Sequence, residues 1–340
     1  MNNLNVMIPW PGWKVVRYIG SGSYGKVYEI EREYYGEKEK AALKVMTIPQ
    51  DRGEIEDAFT EGYDETSVRD LYMDYLMEIR KEYHLLKKLK GLSNNIVNCE
   101  DYREIEHEGE IGWDIYLRME LLEPLNKVLQ KRELTEEEVI KLGKDICQTL
   151  KVCERERIVH RYIKPGNILL SKYGDFKLGD FGVARTLDHT THATKAGAEL
   201  YMAPEVIKRE AYGKEVDIYS LGLVMYTLLN KGRLPYLPID RPATKDEKAD
   251  AFIRRITPSA IGRIKLPLPA DGSDALKRIV LKACEYRKED RYHTADEMLK
   301  DLEILSPTVG NSWDDWDDDD MTVGELHTGK PNGLYDEVEL

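Results

Sequence analysis

No apolar run in this chain is long enough to cross a bilayer. The most hydrophobic stretch, residues 221–229, falls well short of the roughly 20 residues a spanning helix requires. Residues 1–13 carry no basic segment followed by an apolar stretch and a small-residue cleavage site, so no secretory signal is legible and the reading is a cytoplasmic protein. Cysteine is scarce. Cys99, Cys147, Cys153 and Cys284 lie far apart, without a C-x-x-C pair or a disulfide framework, and read as reduced thiols. Excess basic charge is absent too. The formal charge is −13, and residues 306–340 hold ten acidic residues against Lys330 alone, which leaves the remainder near −4 and gives no footing to nucleic-acid binding.

What is present is enough apolar content, 41% of 340 residues, for one large domain of two lobes or two ordinary domains. Alternating apolar residues at 15–19, 27–30 and 41–45 predict three short antiparallel strands, the second and third joined near Tyr35-Gly36-Glu37. The acidic stretch 49–67 reads as irregular, and a helical pattern follows over 68–90. Two more strands are expected at 96–105 and 113–121, turning at Glu108-Gly109-Glu110. Beyond Pro124 the pattern turns helical. Thr135 with Glu138 three residues on is a capping-box signature, and Val139, Leu142, Ile146 and Leu150 continue at helical spacing to about Glu156. Helical patterns recur at 216–230 and 273–285, with Pro267, Pro269 and Gly272 marking loops. Strands first and helices after is the α+β order of two unequal lobes. Residues 306–340 have too few apolar groups for a core and read as an acidic, disordered tail, in which Trp313 and Trp316 suggest a docking peptide for a partner.

Gly20-Ser21-Gly22-Ser23-Tyr24-Gly25-Lys26-Val27 is a glycine-rich loop between two expected strands. By itself this spacing is a weak signal, and with no helix after it the dinucleotide reading fails. Ala42-Leu43-Lys44 follows on the next strand. His160-Arg161-Tyr162-Ile163-Lys164-Pro165-Gly166-Asn167, Asp180-Phe181-Gly182 and Ala203-Pro204-Glu205 then come in order. Over residues 14–305 the chain resembles protein kinases, and bacterial kinases of eukaryotic type most of all. That resemblance implies an N-lobe and hinge over 14–122, a larger and mainly helical C-lobe over 123–305, and a flank at 1–13. Small-molecule kinases of the aminoglycoside type lack an Ala-Pro-Glu segment of this kind.

The resemblance carries roles to particular residues. Gly20, Gly22 and Gly25 would let backbone amides approach phosphates, and Lys44, paired with Glu82, would hold the α- and β-phosphates of ATP, with Glu78 the rival partner. Val27, Ala42 and Leu169 would sandwich the adenine, Met119 would stand behind it, and backbone groups of Glu120 and Leu122 would bind its edge. Asn167 and Asp180 would hold Mg²⁺ by oxygen donors suited to a hard cation. Lys164 marks the serine/threonine variety, so the partners implied are ATP and a protein substrate or signalling partner. Asp217 resembles an aspartate that anchors the catalytic loop, and Arg291 would pair with Glu205.

Two positions depart from the family pattern. Tyr162 stands where the family has its catalytic aspartate, and a phenol with a reference pKa near 10 is neutral at pH 7 and cannot take a hydroxyl proton. Ala198 stands where threonine is usual. Such a chain arises from a lineage that gave up phosphoryl transfer, as a pseudokinase does, or from alteration of an active enzyme. Thr194 occupies the usual activation-loop phosphosite, with Arg161 as the cation that would meet its phosphate. His189 and His192 in the same loop lack the further ligands a metal site needs.

Overall fold

The computed structural model describes residues 6–22, 25–181, 199–257 and 266–305. Their contacts divide them into two compact units: residues up to 124 together with 167–181, and residues 125–166 together with 199–305. This division departs from the one drawn on sequence at 122/123, because residues 167–181 return to the first unit.

The first unit is built on a five-stranded antiparallel sheet in the order β1-β2-β3-β5-β4, from β1 (Lys14–Gly22), β2 (Gly25–Tyr34), β3 (Glu37–Ile48), β4 (Cys99–Glu106) and β5 (Trp113–Met119). Register decides which side chains share a face, since partners directly opposite point the same way. Val27 lies opposite Lys44, which lies opposite Leu117, while Ala42 lies opposite Met119. Val27, Ala42, Lys44 and Met119 therefore stand on one face. The other face carries Tyr28, Ile30, Ala41, Leu43 and Tyr116, and Trp10 and Trp13 pack against these residues. The Arg118 guanidinium lies 5.4 Å from the Trp10 ring and 5.0 Å from the Trp13 ring, and its charge is met by Glu100 at 3.3 Å and Asp101 at 3.9 Å.

The stretch expected to be irregular at 49–67 instead contains helix α1 (Gly53–Thr60), followed by the start of α2 (Glu65–Leu89). Asp64 caps α2 by accepting the Ser67 backbone N–H at 2.8 Å, which puts the helix start three residues ahead of its apolar pattern. Its buried stripe is Val68, Tyr72, Leu76, Ile79, Glu82, Leu86 and Leu89. Arg80 donates to Glu104 at 2.9 Å, and the Tyr83 and Tyr102 rings stack at 4.7 Å, so α2 is fastened to β4. β4 begins at Cys99 rather than at 96. Residues 95–98 run along a second, three-stranded sheet of β6 (Glu123–Pro124), β7 (Ile168–Leu170) and β8 (Phe176–Leu178), with Ile96 bridging to Leu178.

The second unit is helical: α3 (Leu125–Lys131), α4 (Glu136–Arg155), α5 (Pro204–Ile207), α6 (Glu215–Leu228), α7 (Lys245–Ile256), α8 (Asp274–Ala283) and α9 (Ala295–Ile304). The capping box read from Thr135 and Glu138 is formed in both directions at the start of α4. Helix α6 is buried on nearly every side, packed by α4 and α8. No helix among the described residues is long and apolar enough to cross a membrane.

Candidate nucleotide site and catalytic loop

Lys44 projects from β3 onto the sheet face that α2 covers. Glu82 is the one charged residue in the buried stripe of α2, and a buried carboxylate requires a counter-charge. The two supply each other. Burial acts to lower the Lys44 pKa, but Glu82 and then Asp180 outweigh it and hold the ammonium above its ordinary value. Glu78, the rival on sequence, pairs instead with Lys81 one turn along the helix. Cys99, beside Lys44 in the same cluster, is pushed up to about 12 chiefly by burial, which keeps its thiol neutral and unreactive.

Asp180 reaches this cluster through β8. Its backbone is left-handed, with φ +57°, a conformation that aspartate tolerates better than most residues. The turn into it is fastened by the Gly179 N–H, which donates to the Asn167 carbonyl at 2.9 Å. A Cβ on Gly179 would lie 2.9 Å from Leu169 Cδ1 and 3.0 Å from Val97 Cγ2, so a side chain here would have to displace these two. Lys44, Glu82, Asn167 and Asp180 are thus gathered in the first unit.

The residues assigned to an adenine belong to the same unit. Val27, Met119 and Leu169 are half-buried and Ala42 is buried. At the end of β5 the Glu120 N–H donates to Asn98 O at 3.1 Å, while Leu122 is half-buried before β6. Gly20 lies in β1, Gly22 ends it and Gly25 opens β2. A Cβ on Gly25 would fall 2.1 Å from the Val45 carbonyl oxygen, so the absence of a side chain there is set by the approach of β3.

The second unit holds the loop with Tyr162 and Lys164. The Asp217 carboxylate, from the first turn of α6, accepts the backbone N–H groups of His160 and Arg161, each at 2.7 Å. This two-point hold fixes Arg161 in a left-handed conformation, φ +70°, that would otherwise cost free energy. Burial raises the Asp217 carboxyl to about 6 against the pull of these two amides. The Tyr162 N–H then donates to His160 Nδ1 at 3.3 Å, and the side chains of Tyr162 and Lys164 are both half-buried. The Arg161 guanidinium lies 5.2 Å from the Tyr212 ring. Elsewhere in the unit Glu205 takes both arms of Arg291, at 2.6 and 2.9 Å.

A model of the protein kinase domain matches residues 13–302. The chain belongs to the protein kinase family. Among its relatives are the serine/threonine-protein kinase TIO of Arabidopsis thaliana, 31% identical over 64% of this chain and 14% of that protein. Another is the probable serine/threonine-protein kinase fhkC of Dictyostelium discoideum, 31% identical over 66% of this chain and 36% of that protein. The probable serine/threonine-protein kinase PknB of Lactococcus lactis is 25% identical over 85% of this chain and 41% of that protein. The kinase domain therefore spans less than half the length of these relatives.

Ala198, Thr194, His189, His192 and the tail at 306–340 lie outside the described residues. Sequence reasoning missed Lys177, whose ammonium binds the Glu120 carboxylate at 2.9 and 2.8 Å. Its only signal was its place between two apolar residues, Phe176 and Leu178, just ahead of Asp180. Asn98 and Cys99, both against the site, carried no motif at all.

Proposed function

We propose that this kinase domain binds ATP with Mg²⁺ through Lys44, Glu82, Asn167 and Asp180, and that Tyr162 leaves it poor at passing the γ-phosphate to a protein serine or threonine. The observation that carries the reading is the gathering of those four residues in the first unit. Lys44, kept cationic by Glu82 and Asp180, is suited to the α- and β-phosphates. The Asp180 carboxylate and Asn167 amide offer the oxygen donors that Mg²⁺ takes, a set that phosphate oxygens and water would complete. Bound there, Mg²⁺ would neutralise charge on the phosphates. Met119, Glu120 and Leu122 would meet the base, with Val27, Ala42 and Leu169 on its faces.

Transfer forms a bond from the substrate hydroxyl oxygen to the γ-phosphorus and breaks the bond to the bridging oxygen, which leaves with ADP. The hydroxyl proton must go to a base. A neutral phenol does not accept it, and loss of a general base lowers a rate by about 10² to 10⁴. Lys164 in this loop and the names of the relatives favour serine or threonine as the acceptor. A second reading, a nucleotide-binding scaffold without transfer, is favoured by the retention of the ATP-binding residues beside two departures, Tyr162 and Ala198.

Two measurements test the proposal. Saturating an ATP analogue and Mg²⁺ at 100 times Kd should add about 2.7 kcal/mol of stability, and an unmoved melting temperature refutes nucleotide binding. Radiolabelled phosphate transfer should rise at least about 10²-fold in Tyr162→Asp. Continued silence with Ala198→Thr added would favour the scaffold.

A further inference from the structure

The segment 95–98 is stitched on two sides. On one side the Val97 N–H donates to Leu178 O at 3.0 Å, the Leu178 N–H donates to Asn95 O at 2.8 Å, and Asn95 Nδ2 donates to Phe176 O at 3.0 Å. On the other side the Glu120 N–H donates to Asn98 O at 3.1 Å, and the Glu120 carboxylate accepts the Asn98 N–H at 2.7 Å. Lys177 closes the ring. From β8 its ammonium reaches both oxygens of Glu120, at 2.9 and 2.8 Å, with the two side chains only 17% and 23% exposed. Shielding of this degree makes the contact worth more than a surface ion pair, and each carboxylate oxygen is bound.

The two ends of the ring have distinct places. Glu120 is the residue that follows β5, and two residues past Lys177's neighbour Leu178 stands Asp180, whose carboxylate faces Lys44. We infer that Lys177 and Glu120 form a positioning pair that sets the metal-binding Asp180 in fixed register with the base-binding end of β5. The pair touches neither phosphate nor metal; it acts through the backbones of 95–98 and 177–180. The inference rests on the nucleotide reading above and deepens it, by making the base edge and the Mg²⁺ carboxylate one mechanical unit.

Two readouts on the full chain test it, using Lys177→Met, Glu120→Gln and, as the conservative control, Lys177→Arg. The first needs no nucleotide: native-state hydrogen exchange of the amides of Val97, Leu178, Gly179 and Glu120. In Lys177→Met these four should lose protection together, by about tenfold, while the amides of α2 keep theirs. The second is the Kd for adenosine and for an ATP analogue with Mg²⁺, measured well below the melting temperature. Both should weaken about tenfold in Lys177→Met and Glu120→Gln and return to within about threefold of the parent in Lys177→Arg. A lowered melting temperature with exchange at Leu178 and Gly179 and both Kd values unchanged within twofold would make the pair an ordinary stabilising contact and overturn the inference. If the parent chain binds neither ligand, the nucleotide reading fails, and the exchange pattern alone upholds or overturns the mechanical coupling. Should Lys177→Met not fold, Glu120→Gln, which keeps its shape and removes only charge, supplies both results.

Discussion

Arg291 is fully buried, and its guanidinium is bound on every side. Nε donates to Glu285 O at 2.7 Å, the two terminal nitrogens donate to the Glu205 carboxylate at 2.6 and 2.9 Å, and one of them also donates to Tyr286 O at 2.9 Å. The Tyr219 ring lies 4.7 Å away, and Glu215 O, at the start of α6, is 3.5 Å from the remaining arm. Arg291→Met fills the volume but leaves the Glu205 carboxylate, 9% exposed, without the Arg291 charge, and removes the donor that Arg291 gives to the carbonyls of Glu285 and Tyr286. Breaking one side of a buried pair costs about 3 to 5 kcal/mol, roughly a fifth or more of the stability of an ordinary domain. The same arithmetic says that removing the orphaned charge should restore part of the loss. The Arg291→Met, Glu205→Leu double variant should therefore be more stable than the sum of the two single losses implies, with a coupling of at least about 2 kcal/mol. Urea denaturation of the four proteins, followed by far-ultraviolet circular dichroism, measures it. A single-variant loss under about 1 kcal/mol, or strictly additive losses, would refute the account of this pair as the charge lock between residues 203–205 and the start of α6.

Two other perturbations follow from the site. In Glu82→Gln the burial that opposes the charge on Lys44 is met by Asp180 alone, so affinity for an ATP analogue with Mg²⁺ should fall at least about tenfold, whereas Glu78→Gln should leave it within twofold; isothermal titration separates them. For Asp217 the folded-state value, about 6, lies above the ordinary 3.8, so the folded chain takes up the proton first and the associated stability is present below pH 4 and lost as pH rises through 6. Relative to Asp217→Asn, which does not titrate there, the parent should gain about 2.4 kcal/mol between pH 7 and pH 4. A difference that instead shrinks on acidification would mean that the two amides of His160 and Arg161 outweigh burial.

Much of the frame was legible in local pattern. Strands β1, β2 and β3 announced themselves by alternation, and α4 by Thr135 and Glu138, because these signals are written within a few residues of where they act. Helix α1 was hidden. Glu54, Glu56 and Asp57 make it acidic, none of its residues is buried, and Ile55, Ala58 and Phe59 give it only one turn of apolar spacing. The strands β7 and β8 are three residues each, too short for a period, and form because 95–98 and β6 offer them partners.

The sequence by itself determined the order of the motifs, the family to which the chain belongs, and the presence of Tyr162 two residues after His160 in the His160–Asn167 motif, since each of these is a matter of which residue stands at which spacing. Tertiary structure alone decided that Glu82 rather than Glu78 meets Lys44, that Trp10 and Trp13 close the back of the sheet, and that Lys177 holds Glu120. The physical reason is common to all three. A charge becomes costly and an apolar ring favourable when water is removed, and which groups lose water, and which partner 57 residues away is there to answer a charge, is fixed when the sheet faces are covered.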